Sequence, residues 1–162
     1  MNQETLKAKQ ELVNEIVAKA KDSQTVVVAE YRGLTVTEIQ NLRRALRQED
    51  SSMFVYKNSL VERAADALGY EGLKDILTGP NAIIFSKDVT AGAKVVTKFA
   101  KKFPEILKIK GGVVEGKVVD SKTMKEVAAL PSKEGLYSMF LLCLQAPIRQ
   151  FACAVKAVAD AK

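Results

Sequence analysis

Apolar residues recur at helical spacing near the start of the chain. Leu6, Val13, Ile16, Val17 and Ala20 share a face over residues 2–21, and Glu15 and Lys19 form a favourable i,i+4 pair. The pattern then changes period. Residues 24–30, QTVVVAE, are a β-branched run that suits a buried strand. The run stops at Tyr31-Arg32-Gly33, where Gly33 can adopt a turn conformation that other residues resist. Thr35-Val36-Thr37-Glu38 fits a capping box, and the helix it opens puts Ile39, Leu42 and Leu46 on its buried face. SMFVY (52–56) is a second short strand, and residues 59–68 and 71–77 read as short helices broken at Gly69 and Gly72. NAIIF (81–85) is a strand after Gly79-Pro80. A helix over 89–102 follows, with Ala93, Val96, Phe99 and Ala100 inward. ILKIKGGVVEGKVV (106–119) predicts a hairpin or two strands around Gly111-Gly112, and 121–130 one more helix ending at Leu130-Pro131.

Strands alternating with helices predict an α/β (α+β) two-layer sandwich with a mixed sheet over residues 1–130. After Pro131 the character changes. Ser132 can cap a helix carrying Leu136, Tyr137, Met139, Phe140, Leu141, Leu142 and Leu144, apolar all the way round, which an exposed helix does not tolerate alone. Pro147 removes a hydrogen bond and predicts a kink, beyond which Ile148, Phe151, Ala152, Val155 and Val158 form one stripe. Residues 131–162 thus read as an extended C-terminal helical tail offering a surface to partner helices. From Leu136 to Val158 it spans roughly 35 Å at about 1.5 Å per residue, which leaves room for two partners, near Phe140-Leu144 and near Phe151-Val155.

Charge adds only a little. Lys and Arg number 25 against 19 Asp and Glu, for a net +6. Most of the surplus lies in residues 101–162, so an anion site in the first two thirds must come from local clustering. Cys143 and Cys153 lie ten residues apart. On one straight helix that is roughly 15 Å, too far for a disulfide. Histidine is absent, no metal-ligand spacing exists, and there is no Walker loop, GxGxxG or GxSxG. No catalytic residue, cofactor or metal is therefore expected, and the chain does not read as an enzyme. The polar N-terminus lacks a signal-peptide core, and the longest uncharged run, Gly135 to Ile148, is short for a membrane span, so a soluble cytoplasmic chain is expected.

The joint Val55-Tyr56-Lys57-Asn58-Ser59-Leu60 carries the sharpest question. Ser59 with Glu62 fits a capping box, which leaves Asn58 and Lys57 outside the helix and free for another task. Arg43 and Arg47 are an i,i+4 pair of like charge, unfavourable without a nearby anion, and Arg44 lies beside them. If these meet Arg32-Gly33 at one edge, they form a cationic patch with free backbone donors, suited to folded RNA.

Four stretches, VVVAEYRGLTVTEIQNLRRALR, VYKNSLVERA, LTGPNAIIF and ALPSKE, occur in the order and spacing of one family. The chain resembles bacterial large-subunit ribosomal protein ten, the base of the ribosomal stalk, with specific motifs from Leu6 to about Glu134 and in general character beyond. The resemblance implies that the N-terminal domain binds large-subunit rRNA beside the eleventh large-subunit protein. The RNA-binding residues would be Arg32, Gly33, Arg43, Arg44, Arg47, Lys57, Asn58 and Ser59, the last standing where Thr is frequent in the family. It also implies that the tail carries acidic stalk-protein dimers that recruit translation GTPases, through Leu136, Phe140, Leu144, Ile148, Phe151, Val155 and Val158. A ribosome-assembly factor or RNA-binding translational regulator on the same fold is the alternative, and a self-associating structural protein a third.

Overall fold

The run Thr25–Glu30 forms β1 and is buried on both of its faces: Thr25, Val27, Val28 and Ala29 are each at most 1% exposed. Side chains alternate across a strand, so this requires cover on both sides of the sheet. The computed structural model describes residues 3–104 and 106–160. Around β1 stand α1 (Gln3–Asp22), α2 (Val36–Gln48), β2 (Ser51–Phe54), α3 (Asn58–Leu68), a 3-10 turn (Glu71–Leu73) and β3 (Asn81–Ser86). Then come α4 (Ala91–Lys102), β4 (Lys108–Val114), β5 (Lys117–Asp120), α5 (Ser121–Ala129) and α6 (Lys133–Asp160). The chain divides after Ala129 into two compact units.

The α+β class and the long C-terminal helix are as expected, but two details of the sheet differ. Its order is β2-β3-β1-β4-β5, and all four pairings are antiparallel, where a mixed sheet is expected. The helical crossovers do join parallel strands, β1 to β2 and β3 to β4. Each pair is split by a strand of the other, so hydrogen-bonded neighbours run in opposite directions. The layers number three, not two. Val27, Ala29 and Ile84 pack against Leu42 and Leu46 of α2, Val96 of α4 and Met124 of α5. Val28, Ile83 and Phe85 face the other way, against Ile16 of α1, Val61 and Ala65 of α3, and Leu73.

The hairpin turn also moves. Gly111-Gly112 lies inside β4, and the chain reverses at Glu115-Gly116, whose φ values of 49° and 82° make the left-handed pair of a two-residue turn. The glycines serve the sheet instead. Register with β1 slips between Val28 and Ala29, and a Cβ on Gly112 would stand 2.1 Å from the Val26 carbonyl oxygen. Of the helix expected over 71–77, only the 3-10 turn and irregular turns form. α6 is helical on both sides of Pro147.

The capping box at α2 forms as expected. Glu38 accepts from the Thr35 backbone N–H at 2.8 Å and from its hydroxyl at 2.8 Å, while Thr35 Oγ1 accepts from Glu38 N at 3.4 Å. These bonds, the backbone one foremost, hold the Glu38 carboxyl below its ordinary pKa. A depressed folded-state pKa adds stability that is present above the unfolded value and lost as pH falls through the folded one. In urea unfolding, Thr35→Ala should cost about 1 kcal/mol at neutral pH. Glu38→Gln should differ from the parent at neutral pH and converge on it in acid. A gap that widens in acid would contradict the assignment.

Candidate functional site

Because β1 and β2 both run antiparallel to β3, their C-terminal ends emerge at the same end of the sheet. The start of β4 lies there too, with Lys108 opposite Glu30. This gathers Arg32-Gly33, Lys57-Asn58-Ser59 and the Gly79-Pro80 turn at one corner. β1 and β2 stand two strand spacings apart, roughly 10 Å. Arg32 and Lys57 are exposed. Gly33 takes φ 97°, and the Ile106 side chain would be 3.5 Å from a Cβ there.

The start of α3 differs from the expected capping box. Lys57, not Ser59, occupies the N-cap position, in extended backbone, and no side chain caps the helix. Its carbonyl accepts from Leu60 N at 2.9 Å and Val61 N at 3.3 Å. The cap thus falls two residues earlier than expected, and Asn58, the first helical residue, is tied down: its Nδ2 donates to the Gly79 carbonyl at 2.9 Å. Ser59 lies exposed in the first turn. Asn58 thus has a structural task, and Lys57 has no ion-pair partner among the described residues.

Sequence reasoning missed the group that braces this corner. Lys110 Nζ pairs with Glu30 Oε2 at 3.2 Å and donates to the Thr78 carbonyl, joining β1, β4 and the 78–80 turn. The available signal was a pair of opposite charges interrupting two apolar strands. Asn81, next along, is 3% exposed, with both polar side-chain atoms unpartnered among the described residues. Lys19 braces β2 from α1. Its ammonium stands 3.7 Å from the Phe54 ring centroid and donates to Tyr56 Oη at 3.2 Å and to Glu15. The bond to Glu15 foremost, and that to Tyr56, raise the Lys19 pKa against the lowering effect of burial.

α2 starts at the same corner and runs away from it. Arg43 and Arg47 line one groove with Met53, Phe54 and Val55 of the β2 edge. Arg43 also meets a second groove with Tyr31 and Val36. Arg44, about 100° further round the helix, is exposed and outside both. Arg43 lies roughly 12 Å along the helix from its cap and Arg47 roughly 18 Å. The cations therefore form a stripe leading from the corner rather than a single cluster. Among the described residues, Arg32, Arg43, Arg44, Arg47 and Lys57 have no ion-pair partner.

The second unit is a different kind of surface. Leu136 N donates to Ser132 O at 2.8 Å at the start of α6, and no residue of α6 is buried. Phe140 is 62% exposed, Ile148 75% and Phe151 72%. At about 100° per residue, Leu136, Phe140, Leu144, Ile148, Phe151, Val155 and Val158 fall within an arc of roughly 120°. They make one continuous apolar face. α6 is long and apolar enough, by length and composition, to cross a membrane. Any stretch of 18 residues within it, however, contains Gln145, Pro147, Arg149 and Gln150. Cys143 and Cys153 are free and exposed, and no metal-holding cluster occurs among the described residues.

The first unit carries a cationic stripe without ion-pair partners among the described residues, and the second is a helix with one continuous apolar face; both are surfaces suited to assembly with other macromolecules. The family model for ribosomal protein L10 matches residues 4–101, and that for the ribosomal protein uL10 C-terminal region matches residues 130–162. Large ribosomal subunit protein uL10 of Bacillus licheniformis is 49% identical over 158 residues, covering 97% of this chain and 95% of its own length. The same-named protein of Macrococcus caseolyticus is 48% identical over 161 residues, covering 99% and 93%. The chain belongs to the ribosomal protein L10 family. It is a large-subunit ribosomal protein of the cytoplasmic ribosome, a structural component rather than an enzyme.

Proposed function

We propose that this protein forms the base of the ribosomal stalk. Residues 1–130 bind large-subunit rRNA through Arg32-Gly33, the α2 arginines and Lys57-Asn58, beside the eleventh large-subunit protein. Residues 131–162 anchor two dimers of the acidic stalk protein, which in turn recruit translation GTPases. One observation carries this reading: the apolar face of α6 is bare along its length and has the i, i+4 and i+7 spacing of a helix made to lie against partner helices. The unpaired cations support the rRNA half, because folded RNA is held chiefly through its phosphates.

Native mass spectrometry of the protein recovered from its own cells, after ribonuclease and high-salt stripping, tests the whole. One copy carrying four copies of a small acidic protein supports the stalk base and the two-dimer count. Three dimers overturn the count. A bare monomer favours an assembly factor or translational regulator on the same fold, and a homo-oligomer favours self-association.

The corner makes a separate prediction, read by titrating an rRNA fragment at several salt concentrations. Lys57→Ala should weaken binding and reduce the salt slope by about one, the loss of one phosphate contact, without loss of fold. Asn58→Ala should cost roughly 1 kcal/mol of stability through the lost bond to Gly79, whatever it does to RNA affinity. An unchanged affinity in Lys57→Ala would remove the corner from the RNA surface.

A further inference from the structure

The corner does not carry the chain's net charge. Residues 94–125 hold nine lysines against three acidic residues, equal to the whole formal excess of +6. Three of those lysines, Lys101 at the end of α4, Lys108 at the start of β4 and Lys125 on α5, stand exposed around a groove of about 690 Å³. That volume is within the range of roughly 300–1,000 Å³ typical of clefts that hold a ligand. The floor is aliphatic, made by Ala100, Leu107, Ile109 and Ala128. None of the three lysines has an ion-pair partner among the described residues.

Thr97 is one of its lining residues, and the Thr97 Oγ1 atom itself is buried without a hydrogen-bond partner among the described residues. A helical threonine ordinarily turns its hydroxyl back to the carbonyl one turn earlier.

We propose that this α4–α5–β4 groove docks an acidic peptide segment of another protein. One aliphatic side chain of the peptide seats on the floor between α4 and α5. Its carboxylates on either side meet Lys101, Lys108 and Lys125. RNA fits less well, because no aromatic ring or arginine lines the groove and a base has no plane to stack on. The tail of this chain is not the charge complement: from Lys133 to Asp160 it carries Glu134 and Asp160 against Lys133, Arg149 and Lys156.

The test uses the full-length protein and labelled heptapeptides with three glutamates on each side of a central leucine or serine, plus a uridine hexanucleotide as RNA probe. Fluorescence anisotropy should show saturable binding of the leucine peptide, about tenfold or more tighter than the serine peptide. Methyl resonances of Leu107, Ile109 and Ala128 should shift. Lys101→Glu with Lys125→Glu, both surface changes, should weaken binding by about tenfold or more. No saturable binding, equal affinity for the two peptides, or indifference to the double substitution overturns the proposal. Tighter binding of the hexanucleotide with shifts at the same methyls overturns it in favour of nucleic acid.

Discussion

Phe151→Asp is expected to release one of two stalk-protein dimers and leave rRNA binding as it was. Phe151 is 72% exposed, so no packing within its own chain is lost and α6 should stay helical by circular dichroism. What changes is the surface offered to a partner. A central aromatic anchor in a helix–helix interface is commonly worth about 2–4 kcal/mol, and a carboxylate in its place must be desolvated without a counter-charge. The affinity of that dimer should fall by roughly 30- to 1,000-fold. Phe140→Asp should release the other dimer, and the double substitution both. Native mass spectrometry reads the count directly. Loss of both dimers in Phe151→Asp would mean that the two halves of α6 act as one platform. Retention of both would remove the stripe from the interface.

Gly112→Ala is expected to be the most damaging single-methyl change in the first unit, at about 3–5 kcal/mol in urea unfolding of the full chain. A Cβ at this position would lie 2.1 Å from the Val26 carbonyl oxygen and 2.8 Å from Met124 Cε. The methionine can move, but the carbonyl cannot without breaking the β1–β4 pairing on which both faces of the core rest. An alanine at Gly69, a glycine C-cap with φ 78° and open space around it, makes the comparison. There the cost is backbone strain alone, about 1 kcal/mol. Similar losses at the two sites would show that β4 can shift away from β1 to admit a methyl group.

Much of the corner could be read in the residues, and the reason is local. Arg32-Gly33 ends a β-branched run and Lys57-Asn58 follows the short apolar run SMFVY, so both pairs had to sit at strand exits. That the exits share one end of the sheet depends on β3 entering between β1 and β2, a pairing of residues far apart in sequence. Ser59 was misplaced as a cap because the serine–glutamate spacing is a local signal, whereas the bond from Asn58 to Gly79 at the helix start spans 21 residues. The brace of Glu30, Lys110 and Thr78 escaped for the same reason. Glu30 and Lys110 stand out as charges in apolar strands, but only the pairing of β1 with both β4 and β3 brings them together with Thr78.

By itself the sequence determined most of the elements, the capping box at Thr35, and the long apolar helix after Pro131. All of these rest on residues within a few positions of one another, where period, cap and composition act directly. Only the tertiary structure decided the antiparallel order of the sheet, the cover on both of its faces, the place of Gly111-Gly112 inside a strand, and the lysine-rimmed groove over Thr97. These depend on which distant strands pair and how closely they approach. That choice is made by the joint burial of the whole core and leaves no periodic trace in any one segment.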